Sequence, residues 1–169
     1  MSNVEFKYPL GAKAKDAVTG FPGVLIVRKE NINGSISYGL QPIIEKEDST
    51  YVPDAKIIDE VDVLLEGDHA RYLENNKPEE VEFEFECGQY VRNHINGFEG
   101  VVQRRIEWKN GCIEYQVEAA AMKSELHGMV FLMKNFWEQE LEAQEKKTAK
   151  VAKKRTGGPS YQETLMESI

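Results

Sequence analysis

Two cysteines and two histidines, Cys87, His94, Cys112 and His127, make up a legal tetrahedral zinc set in composition. Their spacing includes no Cys-x-x-Cys and no closely spaced histidine pair, so the expected state is two buried or half-buried thiols without metal. Nucleophilic catalysis would need a Ser or Cys beside a His that a carboxylate orients. The three histidines, His69, His94 and His127, lie in no such arrangement. The chain also has no Gly-x-Ser-x-Gly, P-loop, His-Glu-x-x-His or Gly-x-Gly-x-x-Gly stretch. No catalytic residue, no metal and no cofactor is therefore expected. Acids are plentiful: Glu80, Glu82, Glu84 and Glu86 alternate with Val81, Phe83, Phe85 and Cys87, and Glu138, Glu140 and Glu142 follow later. Such alternation reads as the solvated face of a strand rather than a hydrolytic pair.

The residues with most to say are duplicated. At a spacing of 77, residues 11–41 align without a gap on residues 88–118. The identities include Gly11/Gly88, Gly20/Gly97, Phe21/Phe98, Gly23/Gly100, Val24/Val101, Asn33/Asn110, Gly34/Gly111, Ile36/Ile113 and Tyr38/Tyr115. Arg28/Arg105 and Glu30/Glu107 recur as well, two apart on one face of a strand. They read first as a cross-strand ion-pair network that sets register, and second as a ligand-facing patch in which arginine meets an anionic group. A weaker echo matches Lys56 and Glu60 to Lys134 and Glu138 at a spacing of 78. Trp108 and Trp137 stand where the first unit has Asn31 and Asp59. Either the second unit has a fuller core or it alone carries an aromatic recognition surface.

Each unit reads as β. Asn33-Gly34 and Asn110-Gly111 sit between apolar-rich runs, the pattern of a two-residue type I′ hairpin. That turn predicts Trp108 opposite Ile113 and Ile106 opposite Tyr115. Short strands are expected around Ala14-Lys15 and Val91-Arg92, and over 80–87. Four or five short strands in so few residues suggest a small SH3-like barrel, whose closure removes exposed edges. The predicted architecture is mainly β: two tandem SH3-like barrels, 1–66 and 79–143, a polar linker over 67–78, and a polar or helical tail over 144–169.

The chain of 169 residues carries 21 basic and 29 acidic side chains, a net charge of −8. The segment 146–169 holds six basic residues (Lys146, Lys147, Lys150, Lys153, Lys154 and Arg155) against Glu163 and Glu167, which leaves 1–145 at −12. So acidic a body repels nucleic-acid phosphates, and only the tail could contact them or dock on an acidic partner such as a neighbouring subunit. No apolar run approaches the length of a membrane span, and the first residues lack the apolar core of a secretory signal. A soluble intracellular protein with reduced thiols is expected.

Gly88, Val91, Arg92, Gly97, Phe98, Gly100, Val101, Asn110, Gly111, Ile113 and Tyr115 form a pattern that resembles a small, uncharacterised bacteriophage and prophage family. Members of that family have one copy followed by an acidic-aromatic segment, which residues 136–141 match, and a tail similar to residues 156–159. The resemblance implies phage origin, with residence in the host cytoplasm during infection or in the virion, and supplies no activity. The glycine spacing is also similar to KOW-type SH3-like barrels, which bind RNA or transcription machinery, but the body here lacks their basic surface.

The resulting expectation is a non-enzymatic phage protein acting through protein–protein contacts, as a virion or assembly component that binds itself or other virion subunits. A host-takeover or anti-defence protein, binding a host factor or sequestering a small anionic ligand, is the alternative. A KOW-like nucleic-acid module working through the tail is a third. Arg28, Arg105, Trp108 and Trp137 are the candidate binding residues, and the six basic residues of the tail are the candidate docking residues.

Overall fold

The computed structural model describes residues 1–43, 53–67, 77–119, 122–124, 128–130 and 132–145. The chain is mainly β, with open sheets and no α-helix among the described residues. Among the described residues no helix is long and apolar enough to cross a membrane. The first half contains β1 (Ser2–Phe6), β2 (Lys13–Asp16), β3 (Pro22–Asn31), β4 (Ile36–Gln41), β5 (Lys56–Asp59), a 3-10 turn (Glu60–Asp62) and β6 (Val63–Leu65). The second half repeats this series as β7 (Glu79–Phe83), β8 (Tyr90–Asn93), β9 (Glu99–Trp108) and β10 (Ile113–Ala119). A hairpin of β11 (Met122–Ser124) and β12 (Gly128–Val130) follows, and then β13 (Met133–Trp137), a 3-10 turn (Glu138–Glu140) and β14 (Leu141–Ala143).

The strand order is β6-β2-β3-β4-β5 in the first half and β14-β8-β9-β10-β13 in the second. Pairing of β3 with β9 joins both into a ten-stranded sheet, and β1 pairs with β7 in a separate ribbon. In both joints a strand lies antiparallel to its own repeat. Val4 faces Val81 and Lys29 faces Ile106, each residue opposite its counterpart 77 positions later. The flanking pairs are reciprocal: Arg28 faces Glu107, and Glu30 faces Arg105. The two halves are therefore related by a local two-fold axis through these pairs. One hydrophobic cluster serves both, with Phe6, Tyr38 and Leu40 from the first half and Phe83, Tyr115 and Val117 from the second. Full burial of side chains of this size stabilises by about 1.5–3 kcal/mol each. Of the expected linker, residues 68–76 lie outside the described residues.

The hairpins differ from the type I′ expectation. Among the described residues none other than glycine has positive φ, so Asn33 and Asn110 do not take the left-handed conformation that turn requires. Instead the Gly34 N–H donates to the Asn31 carbonyl at 2.8 Å, Gly34 alone turns left-handed at φ +82°, and the Asn31 N–H bonds the Ser35 carbonyl at 2.9 Å. This is a three-residue loop with a glycine bulge. The asparagine side chain holds it: Asn33 Oδ1 accepts from the Ser35 N–H, and Asn110 Oδ1 from the Cys112 N–H, both at 3.0 Å. The extra loop residue moves the register by one. Ile113 faces Glu107 and Tyr115 faces Arg105, so Trp108 lies on the opposite face from Tyr115 and Ile113. Gly23 and Gly100 mark the closest strand approach, where a Cβ would collide with the carbonyl oxygens of Gln41 and Glu118.

Candidate interaction surface

Alternation along β3 and β9 sorts the notable side chains onto two faces of the joined sheet. The inner face looks onto the core and the β1–β7 ribbon. Here Arg28 Nε donates to Glu107 Oε2 at 2.6 Å and its Nη1 to Glu79 Oε2 at 2.7 Å. Its guanidinium also lies 4.7 Å from the centre of the Phe6 ring. Arg105 repeats the arrangement: Nε donates to Glu30 Oε2 at 2.6 Å, Nη1 to the Ser2 hydroxyl, and the guanidinium lies 5.2 Å from the Phe83 ring centre. Ser2 and Glu79 are themselves counterparts at the repeat spacing. Both arginines are buried, 3% and 6% exposed, so each charge is compensated inside the protein.

Next to them, Tyr38 and Tyr115 are fully buried with their hydroxyls satisfied twice. The Tyr38 hydroxyl accepts from the Tyr8 N–H and donates to Glu60, each at 3.1 Å. The Tyr115 hydroxyl accepts from the Phe85 N–H at 3.3 Å and donates to Glu138 at 2.5 Å. Burial, more than the nearby carboxylates, holds the Tyr38 phenol well above its ordinary pKa and does the same to Tyr115.

The outer face is different. Across β5, β4, β3, β9, β10 and β13, the paired residues form the row Asp59, Ser37, Lys29, Ile106, Glu114 and Trp137. Trp108, opposite Val27, flanks this row, and its Nε1 donates to Glu114 Oε2 at 2.9 Å. Trp137 is 41% exposed. The two tryptophans thus bracket Glu114 on one surface, with Ile106 beside it. At the equivalent places the first half has Asn31, Ser37, Asp59 and Lys29, none of them aromatic. The inner positions Arg28, Glu30, Ile36 and Tyr38, by contrast, are identical to Arg105, Glu107, Ile113 and Tyr115.

The four candidate binding residues are therefore divided. Arg28 and Arg105 tie the halves together on the inner face, and Trp108 and Trp137 share the outer one. The six basic candidates of the tail and His127 lie outside the described residues. Cys112 is exposed at its hairpin, and Cys87 is half-buried, its thiol pushed up to about 11 by burial and by Glu30. No group of three or more metal-ligating side chains gathers among the described residues. His94 Nε2 lies 2.9 Å from the Gln139 carbonyl oxygen, which engages that nitrogen with backbone. The exposed Glu80, Glu82, Glu84 and Glu86 alternate with Val81, Phe83, Phe85 and Cys87, of which Phe83 and Phe85 are in the core.

Two features went unread in the sequence. The first is that the duplication begins earlier, at Val4-Glu5-Phe6 and Val81-Glu82-Phe83, an identical triplet at the same spacing of 77. The second is the placement of Lys29 and Arg104 as neighbours on the outer face, which only the register of β3 on β9 reveals. No family model, curated protein or solved structure matches the chain.

Proposed function

We propose that this chain is a non-enzymatic, phage-type interaction protein, a virion or assembly component. Its two SH3-like halves are fused about a local two-fold axis, and it docks a protein partner on the outer face of β9, β10 and β13. The SH3-like reading is supported by the order β6-β2-β3-β4-β5, by its repetition in the second half, and by the 3-10 turn before the last strand of each. The phage assignment is supported by the resemblance of the Gly-Phe-x-Gly and Asn-Gly-x-Ile-x-Tyr stretches.

The observation that carries the docking reading is the one-sided divergence of the outer face. Trp108, Trp137 and Ile106 replace Asn31, Asp59 and Lys29 at symmetry-equivalent places, while the residues beneath them stay the same. Tryptophan in a partly exposed cluster is the side chain most often found to anchor an interface. Affinity capture with the full chain, followed by Trp137→Ala, tests this reading. The partner should be retained at least about tenfold more weakly by the variant, as for loss of an interface anchor, whereas Asp59→Ala on the other half should leave capture unchanged. Equal losses from both would remove the distinction between the halves. Mass spectrometry of purified particles tests the virion role: a stoichiometric band supports it. Absence from particles, with the protein present in infected cells, overturns it.

A further inference from the structure

Next to the tryptophan row, a cleft of about 350 Å3 opens on the outer face between the tip of the first hairpin and strands β9, β10 and β13. Asn31, Ile32, Arg104, Gln116 and Met133 are among the residues that line it. Ile32 and Met133 are each about half exposed and supply apolar walls, and the Arg104 side chain is exposed between them. Arg104 faces Asn31 across the β3–β9 joint, which makes Lys29, two residues back on the same face, its diagonal neighbour. Gln116, opposite Arg104 on β10, is turned toward β13, with its Nε2 donating to Asn135 Oδ1 at 3.3 Å.

The arginine in this cleft lacks an ion-pair partner. Of the arginines among the described residues, Arg28, Arg92 and Arg105 each have a carboxylate within ion-pair distance and Arg104 has none. Two like charges placed as diagonal neighbours on a sheet repel. Lys29 is half-buried besides, and loss of solvent, followed by the Arg104 charge, lowers its pKa against the opposing pull of Glu114. A protein with eight more acids than bases holds Arg104 at this cleft without an ion-pair partner, with the Lys29 cation beside it. An anion that entered would relieve the repulsion and could take the paired N–H groups of a guanidinium.

We propose that this cleft binds a glutamate or aspartate carboxylate on an acidic segment of the protein partner, gripped by Arg104 with Lys29 adding positive charge from beside the cleft, and with aliphatic neighbours of that acid lying on Ile32 and Met133. The inference rests on the docking reading of the outer face and adds the chemistry of the partner. Nucleic acid is disfavoured by the acidic row Glu80, Glu82, Glu84 and Glu86 elsewhere on the same body.

The test is an NMR titration of the full chain with a capped hexapeptide of alternating glutamate and leucine. The same peptide with glutamine for glutamate, and inorganic phosphate alone, serve as the other arms. The glutamate peptide should shift the Arg104 Nε resonance and the amides of Ile32, Gln103 and Gln116. The shifts should weaken with added salt, and Arg104→Gln should weaken binding by about tenfold, as for loss of a charged hydrogen bond. Shifts that survive both Arg104→Gln and Lys29→Gln, equal shifts from the glutamine peptide, or no shift at all would overturn the proposal. Tighter binding of phosphate at the same resonances would reassign the site to a free phosphate ligand. Concentration-dependent shifts there without any additive, abolished by Arg104→Gln, would reassign it to a second copy of the chain. Trp137→Ala, read by partner capture, reports on the docking surface separately, so failure of the cleft and failure of the surface are distinguishable.

Discussion

On the inner face of the joint, Arg28, Glu30 and Tyr38 sit in the same surroundings as Arg105, Glu107 and Tyr115. On the outer face of the same strands, Lys29 and Asn31 stand where the second half has Ile106 and Trp108. The contrast follows from the two-fold geometry. An inner residue touches the neighbours of its own counterpart, so a change in one half strands a partner in the other. The outer face includes solvent-exposed positions such as Trp137, Arg104 and Asp59, whose changes strand no partner in the other half. Divergence toward polar side chains would be ordinary surface drift; divergence toward Trp137, which is 41% exposed, and the half-buried Trp108 puts aromatic area on the surface of the second half, which supports its side as the proposed docking face.

The comparison is broken most severely on the inner face. Arg105→Ala leaves the half-buried Glu30 without its cation; breaking a fully buried pair costs about 3–5 kcal/mol, and partial solvent access to Glu30 places the expected loss at or below the lower end of that range. Denaturant unfolding of this variant should show such a loss, and Arg28→Ala, which strands Glu107 and Glu79, a similar one. Arg104→Gln changes an exposed outer residue of the same joint, and the unfolding midpoint should move far less. Equal destabilisation by the outer variant and the inner variants would mean that the outer face also holds the halves together.

Much of this was legible in the sequence and part was legible only in hindsight. The duplication, the two hairpin positions and the short strands at Ala14-Lys15 and Val91-Arg92 follow from glycine spacing and alternation. The joint between the halves does not, because any strand could pair within its own unit. Its trace is the order Arg28-Lys29-Glu30 and Arg105-Ile106-Glu107. Charges of opposite sign flanking a central residue are self-complementary when a strand lies antiparallel on its own copy, and here the centre of pairing is that central residue. Trp108 was ambiguous for a local reason. A two-residue turn would have put it on the face of Ile113, and the glycine bulge moves it to the other side.

The next effect concerns the two tyrosines, each of which bridges a backbone N–H and a carboxylate on the inner face. Tyr115→Phe removes the acceptor of the Phe85 N–H and the donor to Glu138. Tyr38→Phe does the same to the Tyr8 N–H and Glu60. An unsatisfied buried N–H costs about 1–3 kcal/mol, and symmetry predicts similar losses from both variants by denaturant unfolding. A large difference between them would show that the halves have diverged on the inner face too.

The finest separation of the halves is by pH. Asp16 and Asn93 are counterparts at the ends of β2 and β8, and both fold the following turn back on themselves through a side-chain oxygen. Asp16 Oδ1 accepts from the Val18 N–H at 3.0 Å, and Asn93 Oδ1 from the Ile95 N–H at 2.8 Å and the Asn96 N–H at 3.1 Å. Only the carboxylate titrates. Lys56 Nζ at 2.5 Å, the Thr19 hydroxyl at 2.6 Å and the Val18 N–H hold it well below the usual carboxylate range. A group whose folded pKa is depressed adds stability above its unfolded pKa of about 3.9. That stability fades as pH falls below this value toward the folded pKa, because the unfolded chain then binds the proton first. Asp16→Asn keeps the oxygen that closes the turn, as Asn93 demonstrates in the other half, and removes the titration. Unfolding free energies of the parent and the variant should therefore differ by a constant amount above about pH 5 and converge between pH 4 and acid. A difference that stays constant down to the lowest pH at which the protein folds would mean that the Lys56 contact contributes nothing that distinguishes Asp16 from Asn93.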